Sequence, residues 1–448
     1  MSSSTSSLRL SQNSLISLTP SLNEKKSSEL TIDIDEGKHM ILRPNRIVRG
    51  TVNLNTSAHI YASRIRIKFR GEETASVKVR DSGLESKLER IEQVKIVYFE
   101  VDSIIWGTRS SAYTMSTWDV LEPGQHRFPF AMKFPNVNFP PSAEDPAGFS
   151  IRYIWSAHLD APSAHPGLRS TEYTIPYRPI ICAPPPAEWS YCETLYSKKS
   201  PLAQVKANLP QQIFSPEKRG IDEEFDVLLQ IESVARDTVV TGVSYALKKH
   251  HQGRVLLQTG TAHMSHTRHI MESKLAILTN GGSVRIPIHF HIPTRLVSPS
   301  FTSRHLRVYY DIVFTIQFEQ PSSIFKTSQT ADVSVPIGIA NLPNDYLLQI
   351  QDLTAVQSYN QSKEAPFFFD PSLNEPLSQA YDSYYPQTNN PTSPPSPPPS
   401  YFNLPEPPYL PSRERIERCV QTSRLIKPGF SAELGDPVAV TNVMDEDW

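Results

Sequence analysis

The chain has 448 residues, 40 of them proline and only 17 glycine. It is too long for a single hydrophobic core, which seldom grows beyond about 250–300 residues. Average glycine usage is about 7%, so this scarcity argues against glycine-rich phosphate loops, and we expect no cofactor. With 44 basic and 46 acidic side chains the net charge is −2, and no overall positive field points to nucleic acid as a partner.

Cysteine usage and hydropathy indicate the cellular compartment of the protein. Cys182, Cys192 and Cys419 are too few and too scattered for a disulfide framework or a zinc site. A Cys182–Cys192 bridge stays open, but reduced thiols in a cytosolic protein are the simpler interpretation. The first 28 residues hold 11 serines and no apolar region typical of a secretory signal. No run of about 18 apolar residues suggests a membrane span, so we expect a cytoplasmic protein.

The serine-rich residues 1–28 have too few apolar side chains for a core and are predicted to be disordered. From Leu30 onward the apolar residues alternate with polar ones, which is typical of half-buried strands. This pattern predicts strands at Ile65–Phe69, Val94–Val101, Phe128–Phe134 and Ile151–Leu159. The stretch Leu84–Ile91 has apolar residues at helical spacing but is short, and is compatible with a helical turn or a polar loop.

An internal repeat is the most informative pattern. Residues 128–135 (FPFAMKFP) and 286–293 (IPIHFHIP) share the arrangement large-Pro-large-x-large-x-large-Pro. Each is followed by Pro-Ser at the same offset and then by an alternating strand, over residues 151–159 and 308–316. Matching motifs in matching order predict two copies of one topology, and short alternating strands favour antiparallel sandwiches. Prolines that bracket a strand suit a sheet edge, because proline donates no backbone hydrogen bond.

The chain therefore divides into two tandem immunoglobulin-like β-sandwiches in an all-β protein with disordered termini. The predicted units are residues 1–28 (disordered), 29–179 (first sandwich), 180–200 (linker with Pro184–Pro186), 201–346 (second sandwich) and 347–448 (disordered tail). The tail assignment rests on 13 prolines between residues 371 and 411. Within the tail, Glu414–Val420 is compatible with a helical turn.

These elements resemble a known family. Ile65–Gly71, Tyr98-Phe99 followed by Trp106-Gly107, and Leu121–Pro135 resemble the N-terminal arrestin domain. Ser300–Ile316 looks like the C-terminal arrestin domain of fungal α-arrestins. The resemblance covers about residues 30–345 and agrees with the internal repeat. It implies the arrestin fold, in which two sandwiches form a curved scaffold, and an adaptor rather than an enzyme.

A short motif lies in the proline-rich tail. Pro398, Pro399, Ser400 and Tyr401 form a PPxY sequence, and its prolines fix φ so that the segment is already close to polyproline II. Aromatic grooves of WW domains accept Pro398, Pro399 and Tyr401, whereas a chance match in a proline-rich tail is the alternative. In α-arrestins such motifs recruit HECT-type ubiquitin ligases with WW domains, and the resemblance implies the same here. Pro407-Pro408-Tyr409 lacks the spacer residue.

Four basic side chains share one face of the first predicted strand. Arg64, Arg66, Lys68 and Arg70 alternate with apolar residues and would lie about 6.6–7 Å apart along that face. One interpretation is docking of acidic or phosphorylated cytosolic tails of membrane proteins, or of anionic lipid head groups. The alternative is a solvated outer face of the sheet.

Eight histidines between residues 250 and 305 raise the question of a metal. His289 and His291 share a strand face, but His263, His266 and His269 are three apart and would alternate between faces. Outward-facing strand histidines are therefore favoured over metal ligands, and we expect no metal site. No Gly-x-Ser-x-Gly elbow appears, and no cysteine sits in a catalytic setting, so no catalytic residue is assigned.

Together the residues and the resemblance predict an adaptor at the plasma membrane and endosomes. It would bind cytosolic tails of transporters or receptors and recruit a HECT-type ubiquitin ligase through the PPxY motif, promoting ubiquitin-dependent endocytosis and sorting. The alternative is a ligase-independent arrestin-fold scaffold in endosomal sorting or signalling. A third hypothesis, a hydrolase on a β-sandwich, would need a polar cluster in one concave site.

Overall fold

A computed structural model shows an all-β architecture. The residues that it describes are 28–80, 89–108, 118–145, 148–161, 167–197, 199–215, 223–234, 238–257, 260–275, 283–293, 296–321, 326–345, 356–370, 414–422 and 440–441. Among them, helical structure is confined to the single 3₁₀ turn Gly37–His39 and the one helical residue Asp345. None of these residues lies in a helix long and apolar enough to cross a membrane.

The first sandwich packs a four-stranded sheet against a larger one. The small sheet has the order β1-β2-β7-β24, with β1 (Ser28–Ile34), β2 (Ile47–Thr56), β7 (Gly124–Lys133) and β24 (Phe367–Phe369). The large sheet has the order β11-β10-β4-β5-β25, with β4 (Arg64–Arg80), β5 (Glu89–Gly107), β10 (Phe149–Asp160), β11 (Leu168–Arg169) and β25 (Arg415–Thr422). Two short strands, β9 (Ala143–Asp145) and β12 (Tyr173–Ile175), also pair with β10.

The second sandwich repeats this layout. Its four-stranded sheet has the order β13-β14-β16-β19, with β13 (Trp189–Ser197), β14 (Ser200–Leu209), β16 (Glu223–Ser233) and β19 (Ser283–Ile292). Its larger sheet has the order β15-β22-β21-β17-β18-β26, with β20 also on β21; the bounds are β15 (Ile213–Phe214), β17 (Val239–Leu256), β18 (Thr261–Leu275), β20 (Phe301–Thr302), β21 (Leu306–Pro321), β22 (Lys326–Ile339) and β26 (Val440–Thr441).

Two small two-stranded sheets complete the first sandwich. One pairs β3 (Ile60–Ala62) with β6 (Asp119–Leu121), and the other pairs β8 (Val137–Asn138) in parallel with β23 (Gln357–Ser358). The second pairing brings residues far along the chain back to the first sandwich.

Alternating apolar residues build the core between the sheets. Along β4, Ile65, Ile67 and Phe69 are fully buried while the residues between them face outward. Phe69 stacks on Trp155 of β10 with 4.3 Å between ring centroids, and Trp155 lies 5.3 Å from Phe130 of the opposing sheet. Such aromatic contacts add to the area burial that drives folding. The strands predicted at residues 65–69, 94–101, 128–134 and 151–159 are confirmed.

The internal repeat corresponds to equivalent positions in the two sandwiches. Its proline-bracketed blocks lie in β7 and β19, and its following strands are β10 and β21 in the opposing sheets. The prolines also occupy edges as predicted, because β19 is the last strand of its sheet and Pro129 of β7 lies beyond the three residues that β24 covers. The repeat therefore predicted both the topology and the edge positions.

The structure departs from the sequence at the C-terminal end. The prediction of a helical turn at Glu414–Val420 is wrong, because Arg415–Thr422 forms β25 and pairs antiparallel with residues 90–97 of β5. The open edge of β5 supplies backbone partners that a local pattern does not reveal. Where the structure describes residues 347–448, predicted as a disordered tail, they contribute four short strands, β23 to β26.

The structure also differs from two other predicted segments. Of Leu84–Ile91, the part 84–88 lies outside the described residues, and 89–91 belong to β5 rather than to a helical turn. Of the predicted linker 180–200, the last part holds β13, which already belongs to the second sandwich. Only the proline-containing part before Trp189 connects sheets.

A single asparagine clamps this connector. The Asn341 side chain accepts a hydrogen bond from the Ile181 backbone N–H at 2.7 Å and donates to the Pro179 carbonyl. Its own backbone N–H donates to the Ile181 carbonyl at 3.0 Å. Asn341 directly follows β22 of the second sandwich. The residues after β22 therefore hold the start of the connector, where the chain passes from the first sandwich to the second.

Candidate functional site

The predicted basic row is present on one face of β4, but it faces carboxylates. Arg64, Arg66, Lys68 and Arg70 all point outward from the large sheet of the first sandwich. Their side chains are only 19–30% exposed, because acidic residues of neighbouring strands lie against them. The row is therefore half-buried rather than an open cationic stripe.

Asp160, the last residue of β10, holds the start of the row. Its carboxylate accepts from Arg64 Nε at 2.6 Å and from Arg66 Nη2 at 2.9 Å. Burial raises the pKa of Asp160, but the hydrogen bonds from Arg66 and Arg64 outweigh it, and the pKa lies below its ordinary value. The carboxylate stays ionised and is shared by two of the four cations, and Asp102, 3.6 Å from Arg66, adds a second negative charge beside them.

Glu100 of β5 holds the other end of the row. Lys68 Nζ lies 2.8 Å from Glu100 Oε1, and Arg70 Nη1 lies 3.2 Å from Glu100 Oε2. Against the opposing effect of burial, the hydrogen bonds from Lys68 and Arg415 lower the pKa of Glu100. Arg70 also contacts Glu72 at 2.6 Å and Glu417 at 3.1 Å. Arg70 is thus surrounded by three carboxylates.

The carboxylate partners of the row weaken the interpretation that it docks anions. An anion that docked on it would compete with carboxylates already in place, and the surface has little uncompensated positive charge. The cross-strand pairs instead align β10, β4, β5 and β25 with one another. Sequence reasoning identified the four basic residues but missed their partners Asp160, Glu100 and Glu417, which come from other strands.

The PPxY residues Pro398, Pro399 and Tyr401 lie outside the described part of the chain, as do Pro407–Tyr409. The chain on both sides of them is described. Residues 356–370 pack on the first sandwich before the motif, and residues 414–422 form β25 after it. The motif is therefore flanked by two segments attached to the same sandwich.

A buried polar seam joins the sandwiches, and no sequence pattern indicated it. Glu73 of β4 is fully buried and accepts hydrogen bonds from the Tyr98 hydroxyl at 2.5 Å, the Ser303 hydroxyl at 2.6 Å and the His305 backbone N–H at 2.8 Å. Ser303 and His305 belong to the second sandwich. A buried carboxylate is costly unless several donors satisfy it, so this contact fixes the two units against each other.

A second part of the seam lies beside β9. His251 Nδ1 of β17 lies 2.5 Å from Asp145 Oδ2, whose side chain is almost fully buried. Next to it, the Phe149 ring lies over Gly253, where a Cβ in place of the glycine hydrogen would overlap Phe149 Cζ. The aromatic ring occupies the space that a side chain would need, so the close approach of the sandwiches here requires glycine.

The histidines divide into two environments. His263, His266, His269, His289 and His291 face outward as predicted. The other three differ. His250 and His251 are half-buried beside Asp311 and Asp145. His305 is buried, its Nδ1 donates to the Arg254 carbonyl at 2.9 Å, and burial lowers its pKa. No group of three or more metal-ligating side chains with suitable geometry occurs among the residues that the structure describes.

The three cysteines are free thiols in the structure. Cys182 is half-buried within the connector, and burial raises the pKa of its thiol to about 12, so it is a poor nucleophile. Cys192 and Cys419 are exposed, and Cys419 lies on β25. The alternative of a Cys182–Cys192 bridge is therefore not the state observed.

The fold and the family comparison agree over the first sandwich. Two tandem, mainly antiparallel β-sandwiches are the architecture expected of the arrestin fold; their central strands correspond, β1-β2-β7 to β14-β16-β19 and β10-β4-β5 to β21-β17-β18. Residues 30–176 match the family model of the arrestin (or S-antigen) N-terminal domain. The match spans the first sandwich, so the resemblance drawn from Ile65–Gly71 and Leu121–Pro135 is confirmed for that part of the chain. A comparison with curated proteins gave no match.

Proposed function

We propose that this protein is an arrestin-type adaptor that recruits a HECT-type ubiquitin ligase to membrane proteins. The carrying observation is the PPxY sequence Pro398–Tyr401 in a chain whose first sandwich matches the arrestin N-terminal domain. The sandwiches bind the cytosolic regions of transporters or receptors, and the motif binds a WW domain of the ligase. Because it joins a membrane protein to a ligase, the adaptor acts at the plasma membrane and endosomes.

The adaptor supplies proximity and no catalytic group. With ligase and membrane protein held on one scaffold, the second encounter is intramolecular, and its effective concentration is set by the intervening chain. The ligase then transfers ubiquitin to lysines that come within its reach. A single PPxY motif gives modest affinity, which favours a transient complex unless a second contact adds to it.

The candidate site for cargo binding is the basic row on β4. The row Arg64–Arg70 remains a candidate for acidic tails or anionic lipid, but its carboxylate partners leave little free charge. Docking there requires a ligand that displaces Glu100 or Asp160. A cargo peptide with two or more phosphates satisfies that condition better than one with isolated carboxylates.

Tyr401→Ala tests the ligase arm. The tyrosine ring fills an aromatic groove of the WW domain, so we expect its loss to weaken binding of a recombinant PPxY-binding WW domain to the full chain at least tenfold. Tyr409→Ala is the matched control, because Pro407-Pro408-Tyr409 lacks the spacer residue and its loss should leave binding within twofold. Isothermal titration calorimetry measures both.

Equal binding by wild type and Tyr401→Ala would remove the ligase arm. The remaining function would then be a ligase-independent scaffold with arrestin-type sandwiches. Cellular localisation of the membrane cargo after deletion of residues 371–413 separates the two functions, since only the ligase-recruiting adaptor requires that segment.

A further inference from the structure

Two cations face each other on the large sheet of the second sandwich. In the register of the sheet, Lys249 of β17 lies opposite Arg268 of β18 on one side and opposite Tyr310 of β21 on the other. Directly opposed residues of antiparallel strands have Cβ atoms about 4.5–5.5 Å apart, and like charges at that separation repel each other. The Lys249 and Arg268 side chains therefore form a repulsive pair on one face.

This pair lacks a counter-charge. Among the residues that the structure describes, no aspartate or glutamate forms an ion pair with Lys249 or Arg268. Two carboxylates of the region are engaged with histidines: Asp145 with His251 at 2.5 Å, and Asp311 with His250 at 3.3 Å. The basic row on β4 differs, because there each cation has a carboxylate partner. A group that turned one member of the Lys249–Arg268 pair into an anion would relieve the repulsion.

The surroundings of Lys249 favour its neutral amine. Its Nζ lies 2.9 Å from the Ser298 hydroxyl, and Ser298 is fixed by its backbone, which donates to the Tyr310 hydroxyl at 2.8 Å. Burial first and Arg268 second lower the pKa of Lys249 to about 8, against the opposite effect of Asp145. At pH 7.5 about a quarter of such amines are neutral, compared with about one in a thousand at the ordinary pKa of 10.5. A neutral amine is a nucleophile.

We propose that Lys249 is a carbon dioxide-binding site, at which the amine forms a carbamate that Arg268 holds. The amine nitrogen attacks the carbon of CO₂, a new N–C bond forms, one C=O π bond opens to give the carboxylate, and the amine proton passes to water. The cation at position 249 thereby becomes an anion, and the repulsion from Arg268 becomes a charge-assisted pair. The Ser298 hydroxyl, which accepts from the ammonium, can instead donate to a carbamate oxygen.

The position of Lys249 also gives the site access and a consequence. Lys249 is half-buried and Arg268 is exposed, so a small uncharged molecule reaches the amine from solvent. His251, two positions further on the same face of β17, contacts Asp145 of the first sandwich. A carbamate therefore places a negative charge beside the seam between the sandwiches. The site does not depend on the PPxY motif and goes beyond the proposed adaptor function.

Chemical trapping of the carbamate tests the site in the unaltered protein. The full chain is equilibrated with ¹³C-labelled bicarbonate at pH 7.5, treated with a trialkyloxonium salt that alkylates the carbamate oxygen, digested and read by mass spectrometry. Lys248 is the internal control, because it lies on the other face of β17, opposite His269 and the carboxylate of Asp311. We expect at least tenfold more label on Lys249 than on Lys248.

Substitution of Arg268 tests how the carbamate is held. Arg268→Gln removes the charge that disfavours the ammonium and that stabilises the carbamate, so both effects reduce the label on Lys249, and we expect at least a fivefold loss. Arg268→Lys keeps the charge and should retain more than half of the label. Arg307→Gln is the matched control, because Arg307 of β21 lies over the Tyr309 ring rather than opposite Lys249, and it should label like wild type.

Equal labelling of Lys249 and Lys248 in the wild-type chain, or no label on Lys249 above that of a bicarbonate-free sample, would overturn the carbamate site. That comparison involves no substitution, so a folding defect cannot obscure it. Undiminished labelling of Lys249 in Arg268→Gln would overturn the pairing of the carbamate with Arg268. Neither result involves a WW domain, so failure of this site and failure of the proposed adaptor function are distinguishable.

Discussion

At the scale of single residues, Lys249 occupies an unusual position. Its ammonium donates to the Ser298 hydroxyl at 2.9 Å and lies 5.9 Å from the centre of the Tyr310 ring. Arg268 faces it across the β17–β18 pair. Burial first, and the Arg268 guanidinium second, lower the pKa of Lys249 to about 8.

This lowered pKa has a consequence for stability with a definite sign. Above pH 8 the folded protein releases the Lys249 proton, while the unfolded chain keeps it up to its ordinary value of 10.5. The unfolded state binds more protons in this interval, so stability rises with pH there, by at most about 2–3 kcal/mol. In Lys249→Met the rise should disappear. Urea unfolding at pH 7.5 and pH 10 measures it.

Lys248→Met is the matched control for this measurement, since it removes a lysine from the neighbouring position of the same strand. We expect it to keep the wild-type rise in stability. If Lys249→Met kept the same rise as Lys248→Met, the gain would come from other groups, and the proton release would not belong to Lys249.

At the scale of elements, β4 shows which structural features a sequence pattern predicts and which it does not. Alternation of apolar and basic residues over 64–70 predicted a strand with one buried and one charged face, and both are confirmed. The pattern did not reveal which strands lie beside β4. Glu417 is 347 positions from Arg70 in the chain, and no local periodicity encodes a contact at that separation.

The same limit applies to the helical turn expected at Glu414–Val420. Its charges and short length permit either local structure, and the free edge of β5 decided the outcome in favour of a strand. The buried acceptor Glu73 was missed for a related reason, because its donors Ser303 and His305 come from the second sandwich. Fold class and repeat were predictable from periodicity, whereas contacts between distant elements were not.

Asp160→Asn tests the structural role of the charged face of β4. The asparagine cannot supply a charged acceptor to Arg64 and Arg66, so we expect a loss of about 1–3 kcal/mol at pH 7. The pKa of Asp160 is lowered in the folded state, and its stabilisation is present above its ordinary pKa of 3.8 and is lost as pH falls further. The variant should therefore lose less stability than wild type between pH 5 and pH 3.

Asp102→Asn provides the comparison for Asp160→Asn. Asp102 also faces Arg66, but at 3.6 Å and with a side chain 56% exposed, so its removal should cost less than about 1 kcal/mol at pH 7. Both variants should be unfolded with urea at low ionic strength, because a guanidinium salt would screen the ion pairs. Equal effects of the two variants would indicate that the hydrogen bonds to Asp160 contribute nothing specific.

At the scale of the whole molecule, three contacts set how the sandwiches meet. Besides the His251–Asp145 ion pair, Asn341 holds the connector, Glu73 accepts from donors of both units, and Phe149 packs on Gly253. The first two are polar and directional, while the third is a close steric fit. Since the proposed adaptor needs a defined angle between its two sandwiches, the steric contact offers the most direct way to perturb that angle.

Gly253→Ala should be destabilising only because of Phe149. A Cβ at Gly253 would overlap Phe149 Cζ, and such overpacking costs about 1–3 kcal/mol. In a Phe149→Ala background the obstacle is gone, and alanine in a strand is favoured over glycine by about 0.5–1 kcal/mol. The effect of Gly253→Ala should therefore change sign between the two backgrounds. Equilibrium unfolding of the four proteins gives the interaction energy of the pair.

Gly242→Ala separates this steric effect from a general cost of replacing glycine in β17. Its Cβ would meet the flexible end of the Gln317 side chain at 2.6 Å, which can move away, so we expect a small effect that is the same with and without Phe149. Small-angle scattering of Gly253→Ala should also show a change in the arrangement of the two sandwiches that Gly242→Ala lacks. If Gly253→Ala were equally destabilising in both backgrounds, Phe149 would not be the group that sets the approach of the two units.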